Sequence, residues 1–316
     1  MSYGELAVHR WMLRDEIRNE AYRRAIAHLV KPGDVVLDVG AGTGILSVFA
    51  AAAGARRVYA VERTIIADLA RTMVEQNGHA GCIEVLQADV EDVTLPEKVD
   101  VIVSEWMGGF GVDENVLAPL TIARNRWLKP GGVMIPGRVT AILAPASVPE
   151  FDEGLAHWRA KPHGIDMSPI ANRTTNETFH TQTHLTPESL LAPPQTMWSH
   201  DPHTCSLEEA DQPFTAKLTF TATRAGSLSG FVAWFTAEMG DGNELTNAVG
   251  APDTHWGRTL FPLNATVELA EGASFDAVLR CDVSIPGSCE FYWSLGLPGR
   301  PLEEHDTRRH FRPDVR

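Results

Sequence analysis

Between Val35 and Met134 the chain repeats one rhythm: a short apolar run rich in β-branched residues, a turn, then a stretch of helical period. The runs are VVLDV (35–39), RVYAVE (57–62), IEVL (83–86), VIVS (101–104) and a last one through Val133 and Met134. Apolar runs this short, with no polar alternation, predict strands covered on both faces, and the intervening helices predict parallel crossovers. Helices are expected after Gly44 and at about 64–77 and 115–127, with Lys129-Pro130-Gly131-Gly132 as a turn before the last strand. Ahead of this unit, residues 9–30 place Leu13, Ile17, Ala21 and Ala25 on one stripe beside Tyr22, Ile26 and Leu29, which predicts a single amphipathic helix.

Near Pro136-Gly137 the period changes. VTAILAPA, FTAKLTFTATRAG, SGFVAWFTAEM, FPLNATVEL and SFDAVLRCDVSI are short alternating segments separated by Gly, Pro, Asn and Asp, the pattern of an antiparallel β domain. A polar region at 163–191 interrupts it and is too long for a simple loop. The expected architecture is α/β: a doubly wound, Rossmann-like sheet followed by an antiparallel β domain. Its divisions fall at 1–34, an N-terminal helical segment, at 35–137, the sheet, and at 138–316.

With 316 residues there is ample core for two such units, and 44% hydrophobic with 22% charged residues describes an ordinary globular protein. There is no apolar run of about 18 residues and no basic-then-apolar leader at MSYGELAVHRW, so no membrane association and a cytoplasmic location are expected. A formal charge of −14 argues against nucleic acid as a partner and suits a cationic one. Cys82, Cys205, Cys281 and Cys289 form no CxxC pair and no zinc spacing with histidine, so no metal is expected.

Three places carry candidate chemistry. Gly40, Gly42 and Gly44 follow the first strand and open a helix, where the backbone can turn sharply and free N–H groups can meet a ligand. Glu62 ends the second strand, the place from which an acid accepts hydrogen bonds from a ribose diol, and Val90 and Glu91 follow the third, where a base would lie. SEWMGGFGVDE (104–114) then sets Glu105 at the end of the fourth strand and Glu114 nine positions on, beyond two adjacent glycines. Asp15, Arg18 and Tyr22 share one helical face. Read singly, each has a plain structural alternative: a solvated acidic loop, a surface ion pair, a packed tyrosine.

Jointly, the RDEIR helix (14–18), VLDVGAGTGIL (36–46), Glu62, SEWMGGFGVDE and DTHWGRTLF (253–261) resemble the protein arginine methyltransferase family over nearly the whole chain. That resemblance implies a class I methyltransferase sheet, a C-terminal β barrel, and a dimerisation arm at about 163–191 that makes a homodimer. It implies S-adenosylmethionine as cofactor, with S-adenosylhomocysteine as product, held by His9, Arg18, Asp38, Gly40, Gly42, Gly44, Glu62, Val90 and Glu91. Glu105 and Glu114 match the pair of glutamates that grips the guanidinium. Thr254-His255-Trp256 matches a loop contributed by the barrel, with Asp15 pairing to His255. Tyr3, Met12, Trp106, Met107, Asp113 and Trp256 are the expected substrate contacts.

Where protein-directed members carry tyrosines, this chain has Gly109 and Asp113. A wider and more acidic entrance is therefore expected, with room for a small substrate whose α-amino group pairs with Asp113. Met12 resembles enzymes that make asymmetric dimethylarginine, whereas Val116 stands where those enzymes tend to have methionine.

Arginine chemistry explains why such residues recur. Two carboxylates converging in a pocket repel unless a cation lies between them, and a guanidinium supplies one with five N–H donors in a rigid fork. Fixing two of its nitrogens presents the third to a sulfonium methyl, and orientation of this kind removes roughly 7–11 kcal/mol of barrier. The guanidinium has a pKa above about 12, so its proton leaves as the bond forms. Glu114, or His255 backed by Asp15, is the acceptor. The reading is therefore an arginine ω-N-methyltransferase acting on a protein or peptide; the alternatives are free L-arginine in a biosynthetic pathway, as for a bacterial-type member, and another natural product on the same fold.

Overall fold

The computed structural model describes residues 4–181, 185–240, 242–285 and 288–311. The helix expected over 9–30 is two helices, α1 (Leu6–Arg14) and α2 (Glu16–Leu29), separated at Asp15. Asp15 is extended (φ −77°, ψ 92°), and its carboxylate caps α2 by accepting the Arg18 N–H at 2.9 Å. A one-residue break thus converts a helical position into an N-cap, and side-chain periodicity does not register it.

The sheet that follows comprises β1 (Val35–Val39), β2 (Arg57–Val61), β3 (Ile83–Leu86), β4 (Val99–Ser104) and β5 (Leu128–Ile135). Its order is β3-β2-β1-β4-β5, parallel throughout. The crossovers contain α3 (Ile45–Ala52), α4 (Ile66–Gln76) and α5 (Leu117–Trp127). The order reverses beside β1, so the carboxyl ends of β1 and β4 flank the crevice where such sheets bind ligands. Lys129–Gly132 is not a turn before β5 but lies inside it, where the pairing with β4 shifts register.

Beyond Pro136 the chain makes β6 (Val139–Ala146) and leaves the sheet through α6 (Pro149–Arg159) and α7 (Ser168–Thr174). It returns at β7 (Phe179–Thr181) and continues as β8 (Gln195–His200), β9 (Phe214–Thr221), β10 (Gly226–Glu238), β11 (Glu244–Thr246), β12 (Arg258–Leu269), β13 (Ser274–Ile285), β14 (Ser288–Gly296) and β15 (Glu303–Asp306). One sheet runs β7-β12-β10-β6-β8 with β11 on β10, the other β15-β14-β13-β9, and every pairing is antiparallel. Together they form a barrel-like domain around Phe220, Phe231, Phe261, Phe275 and Trp293. The excursion expected at 163–191 thus begins earlier, at Pro149, and is largely helical up to Thr174; residues 182–184 of that stretch lie outside the described ones.

The two domains share one apolar core. Phe235, Leu245 and Trp256 of the β domain pack in the cluster that covers β1, β4 and α2. In the other direction Phe110, from the loop after β4, enters the barrel core, its ring 5.6 Å from Phe261 and 5.5 Å from Phe291. That loop is therefore anchored on both sides of the domain seam.

Candidate active site

At the end of β1, Gly40, Gly42 and Gly44 all have positive φ (72°, 53° and 84°), a conformation open to glycine and costly for other residues. The N–H groups of Gly40 and Ala41 both donate to the Val61 carbonyl at 2.9 Å, which fixes the turn against β2. Glu62 accepts from Gly42 N at 3.0 Å and Thr64 N at 2.7 Å. His9 covers the turn: a Cβ on Gly42 would stand 3.1 Å from its ring. Gly44 stands at the N-cap of α3 and offers no side-chain cap. A turn whose three glycines all have positive φ, tight against His9 at Gly42, with an acid beside it and a helix start beyond, fits a nucleoside cofactor.

Asp38 lies beneath the cradle rather than in it. Fully buried, it accepts from Ser47 Oγ at 2.6 Å, and its Oδ1 has no partner. It supports the turn from within the core, contrary to the direct cofactor contact expected. Burial, only partly offset by Ser47 and reinforced by the Glu62 charge, pushes its carboxyl up to about 7. Because the native value lies above the unfolded one, its contribution to stability is full below the unfolded carboxylate range and is lost as pH rises through about 7. Asp38→Asn removes that loss: the cofactor-free variant should melt roughly 2–6 °C above the parent at pH 8 and together with it at pH 4, as scanning calorimetry will show. Val90 is buried at the end of the β3 side of the crevice, while the Glu91 side chain is exposed and its carbonyl accepts from Arg126.

Glu105 follows directly on β4. Its Oε2 receives Arg18 Nη2 at 3.1 Å and Nε at 3.2 Å, and both side chains are almost wholly buried, 4% and 6% exposed. Arg18 Nη1 turns to Asn19 Oδ1 at 2.9 Å, so this guanidinium is committed to Glu105 and its own helix. Beneath the pair, the Tyr22 hydroxyl donates to the Ser104 carbonyl at 3.1 Å, and burial with the nearby Glu105 charge raises its pKa well above the usual value. Glu114 is half-buried at the far end of the same loop, next to Asn115, whose φ is +52°.

Asp15 joins the N-terminal segment to the β domain. Its Oδ2 accepts both the backbone N–H and Nδ1 of His255 at 2.8 Å. Burial pushes the Asp15 carboxyl up, but the hydrogen bonds from His255 and from the Arg18 backbone outweigh it and leave the group below the usual range. A carboxylate there sets the His255 tautomer: Nδ1 carries the proton and Nε2 keeps a lone pair. Trp256 closes the seam, its Nε1 donating to the Met107 carbonyl at 2.7 Å and its ring 4.0 Å from that of His255.

Three expected substrate contacts stand elsewhere. Trp106 and Met107 are buried, Trp106 edge-on to Trp198 in the wall of a small cavity and Met107 beneath the Tyr22 hydroxyl. Asp113 turns inward and accepts the N–H groups of Gly109 (2.9 Å) and Phe110 (3.1 Å), closing the loop rather than waiting for an α-amino group. Burial, against the opposing His180 charge, raises its pKa. Nor is the entrance widened at Gly109, where a Cβ would fall 2.5 Å from Thr259 Oγ1 and 2.6 Å from the His180 ring. Met12 is half-buried on α1, and Tyr3 lies outside the described residues. Phe110, His180, Asn247 and Arg258 also form the site without a sequence expectation for them; Phe110 and Arg258 lie inside the SEWMGGFGVDE and DTHWGRTLF motifs, while His180 and Asn247 carry no local signal.

Among the described residues no cluster could hold a metal ion, and no helix is long and apolar enough to cross a membrane. Residues 139–285 match a family model described as the arginine methyltransferase oligomerization subdomain, and residues 23–137 match that of ribosomal protein L11 methyltransferase. The chain is 35% identical over 278 residues to protein arginine N-methyltransferase 6 of Xenopus laevis, covering 85% of this chain and 82% of that one. It is 40% identical over 244 residues to probable protein arginine N-methyltransferase 6 of Arabidopsis thaliana, covering 75% of this chain but only 55% of the relative's length. Among solved structures it is similar to PRMT1 of Trypanosoma brucei in an enzyme-prozyme heterotetrameric complex with AdoHcy, with TM-score 0.86, 28% identity, and coverage of 97% of this chain and 99% of that one.

Proposed function

This chain belongs to the protein arginine methyltransferase family, and on that premise we propose that it methylates an ω-nitrogen of arginine in a protein or peptide, with S-adenosylmethionine as donor. The observation that carries the reading is that Arg18 of the N-terminal segment meets Glu105 at the end of β4 while Asp15, on that same segment, meets His255 across the seam. Residues 1–34 cover the cofactor, 35–137 bind it, and 138–316 supply the barrel and the arm.

When bound, S-adenosylmethionine supplies an electrophilic methyl group and leaves as S-adenosylhomocysteine. His9, the three glycines, Glu62 and Val90 hold it. Glu105 and Glu114 take the substrate guanidinium between them. Arg18 already offsets charge on one oxygen of Glu105, so the two glutamates bind unequally and favour a localised lone pair on the nitrogen left free. As the N–C bond forms, that nitrogen loses a proton, and His255 Nε2 receives it while Asp15 stabilises the imidazolium. Nucleic acid and membranes have no part in this reading, and a cytoplasmic location goes with it.

The arm supports a homodimer. Ile165 and Ile170 are exposed on it, while Leu6, Trp11 and Ile17 expose a second apolar patch on α1 and α2. Joining the two head to tail makes a closed pair. Ile165→Glu with Ile170→Glu should give a monomer by light scattering; an unchanged dimer would contradict this.

Substrate form is tested by incubation with labelled cofactor, an arginine-rich peptide and free L-arginine in competition. Label on the peptide as methylarginine is expected. Label on free arginine alone would move the enzyme to small-molecule chemistry, and label on neither would remove the arginine assignment.

A further inference from the structure

Asn247 follows β11 and is completely buried at the domain seam. Its Nδ2 donates to two carbonyls, that of Gly109 at 2.7 Å and that of Gly257 at 2.6 Å, and its Oδ1 accepts the Phe235 N–H of β10 at 2.9 Å. Gly109 sits midway between Glu105 and Glu114, and Gly257 follows His255-Trp256. One side chain therefore bonds to both loops that carry the proposed chemistry, and to the sheet that supports them.

The neighbourhood makes this tie rigid. Arg258, itself buried, donates Nε to the Asn247 carbonyl at 3.0 Å, Nη2 to the carbonyls of Ala248 (2.9 Å) and Ala251 (3.0 Å), and Nη1 to Asp253 at 2.5 Å. The whole approach to Thr254-His255-Trp256 is thus pinned. On its other side Gly109 lies against Thr259 and His180 with no space for even a methyl group. The glutamate loop is pulled by an amide and stopped by a strand. Two donors and an acceptor in one plane are what a primary amide offers; a shorter hydroxyl could serve only one of the two buried carbonyls, and a carboxylate neither.

We infer that Asn247 is a positioning residue for catalysis, setting the spacing between the glutamates that hold the guanidinium and the His255 that takes its proton. It touches neither substrate nor cofactor and acts through the two backbones it joins. This rests on the proposed arginine methylation, and the test is built so that the two can fail separately.

Asn247→Asp keeps the shape and removes both donors; Asn247→Ser keeps one. On an arginine peptide, the Asp variant should lose roughly 30-fold in kcat and the Ser variant roughly fivefold, with cofactor dissociation constants within about twofold of the parent by calorimetry. In a His255→Ala background the Asp variant's loss should shrink below about threefold, because spacing to an absent base no longer matters. Equal losses in both backgrounds would mean a merely structural role and would overturn the inference, as would parental kcat in either single variant. If the Asp variant folds poorly, the same cycle is closed with Ser. Should the parent transfer no methyl group to arginine, the functional reading fails and hydrogen exchange decides the tie alone. Faster exchange in both 105–114 and 254–257, with 40–44 unchanged, would uphold it, and any other pattern would refute it.

Discussion

Glu105→Gln is expected to lower kcat by 100-fold or more while leaving cofactor affinity within about twofold, and Glu114→Gln to do the same. The substitution keeps shape and removes charge. At position 105 a carboxylate holds Arg18 through Oε2 and takes the Met107 N–H at 3.3 Å through Oε1. A neutral amide still accepts from Arg18, so the fold survives, but it no longer balances a second guanidinium in a nearly water-free site. Each hydrogen bond to a charged group contributes about 1.5–3 kcal/mol, and the clamp loses such bonds together with the unequal polarisation they impose. Steady-state kinetics with calorimetry on the same preparations separate the two effects. Retention of turnover in both variants would point to a different substrate on the same fold.

His255→Ala should cost a further large factor, roughly 100-fold in kcat, with KM for the arginine substrate changed little, because general-base help of this kind contributes about 10²–10⁴. Asp15→Asn tests the same proton path from behind. Asn still caps α2, so the helix break persists, but the acceptor that holds His255 in its productive tautomer becomes ambiguous. A smaller loss, roughly tenfold, is expected, and the two changes together should cost little more than His255→Ala alone. Additive losses would show that Asp15 acts elsewhere.

Strong periodicity explains what was readable. The five parallel strands and the outer β segments announced themselves because burial on two faces, or on one, writes a simple pattern into the chain. Asp15 shows the opposite case: an apolar stripe continues unbroken across a one-residue gap in a helix, so two helices read as one. The arm reads as a polar excursion rather than as helix because α7 spans only 7 residues and buries one of them, Ala171, too few to set an apolar period. Glu105, Glu114, Asp15 and His255 are legible only through separated motifs, since the last two are 240 positions apart in the chain and no local pattern links them. What the residues could not disclose was orientation. Asp113 looked like a rim carboxylate and is a loop brace; Gly109 looked like an opening and is the point where His180 and Thr259 close in. Side-chain direction within an irregular loop depends on tertiary partners, here Phe110 in the barrel core and Asn247 at the seam.

The central claim is that the pocket recognises a guanidinium, held by two carboxylates and deprotonated during transfer. The most direct test sets three versions of one peptide against labelled S-adenosylmethionine, identical except for arginine, lysine or citrulline at a single position. Label on the arginine peptide alone is the predicted result, since lysine lacks the planar fork and citrulline lacks the charge. Equal labelling of the lysine peptide, or labelling of citrulline, would contradict it.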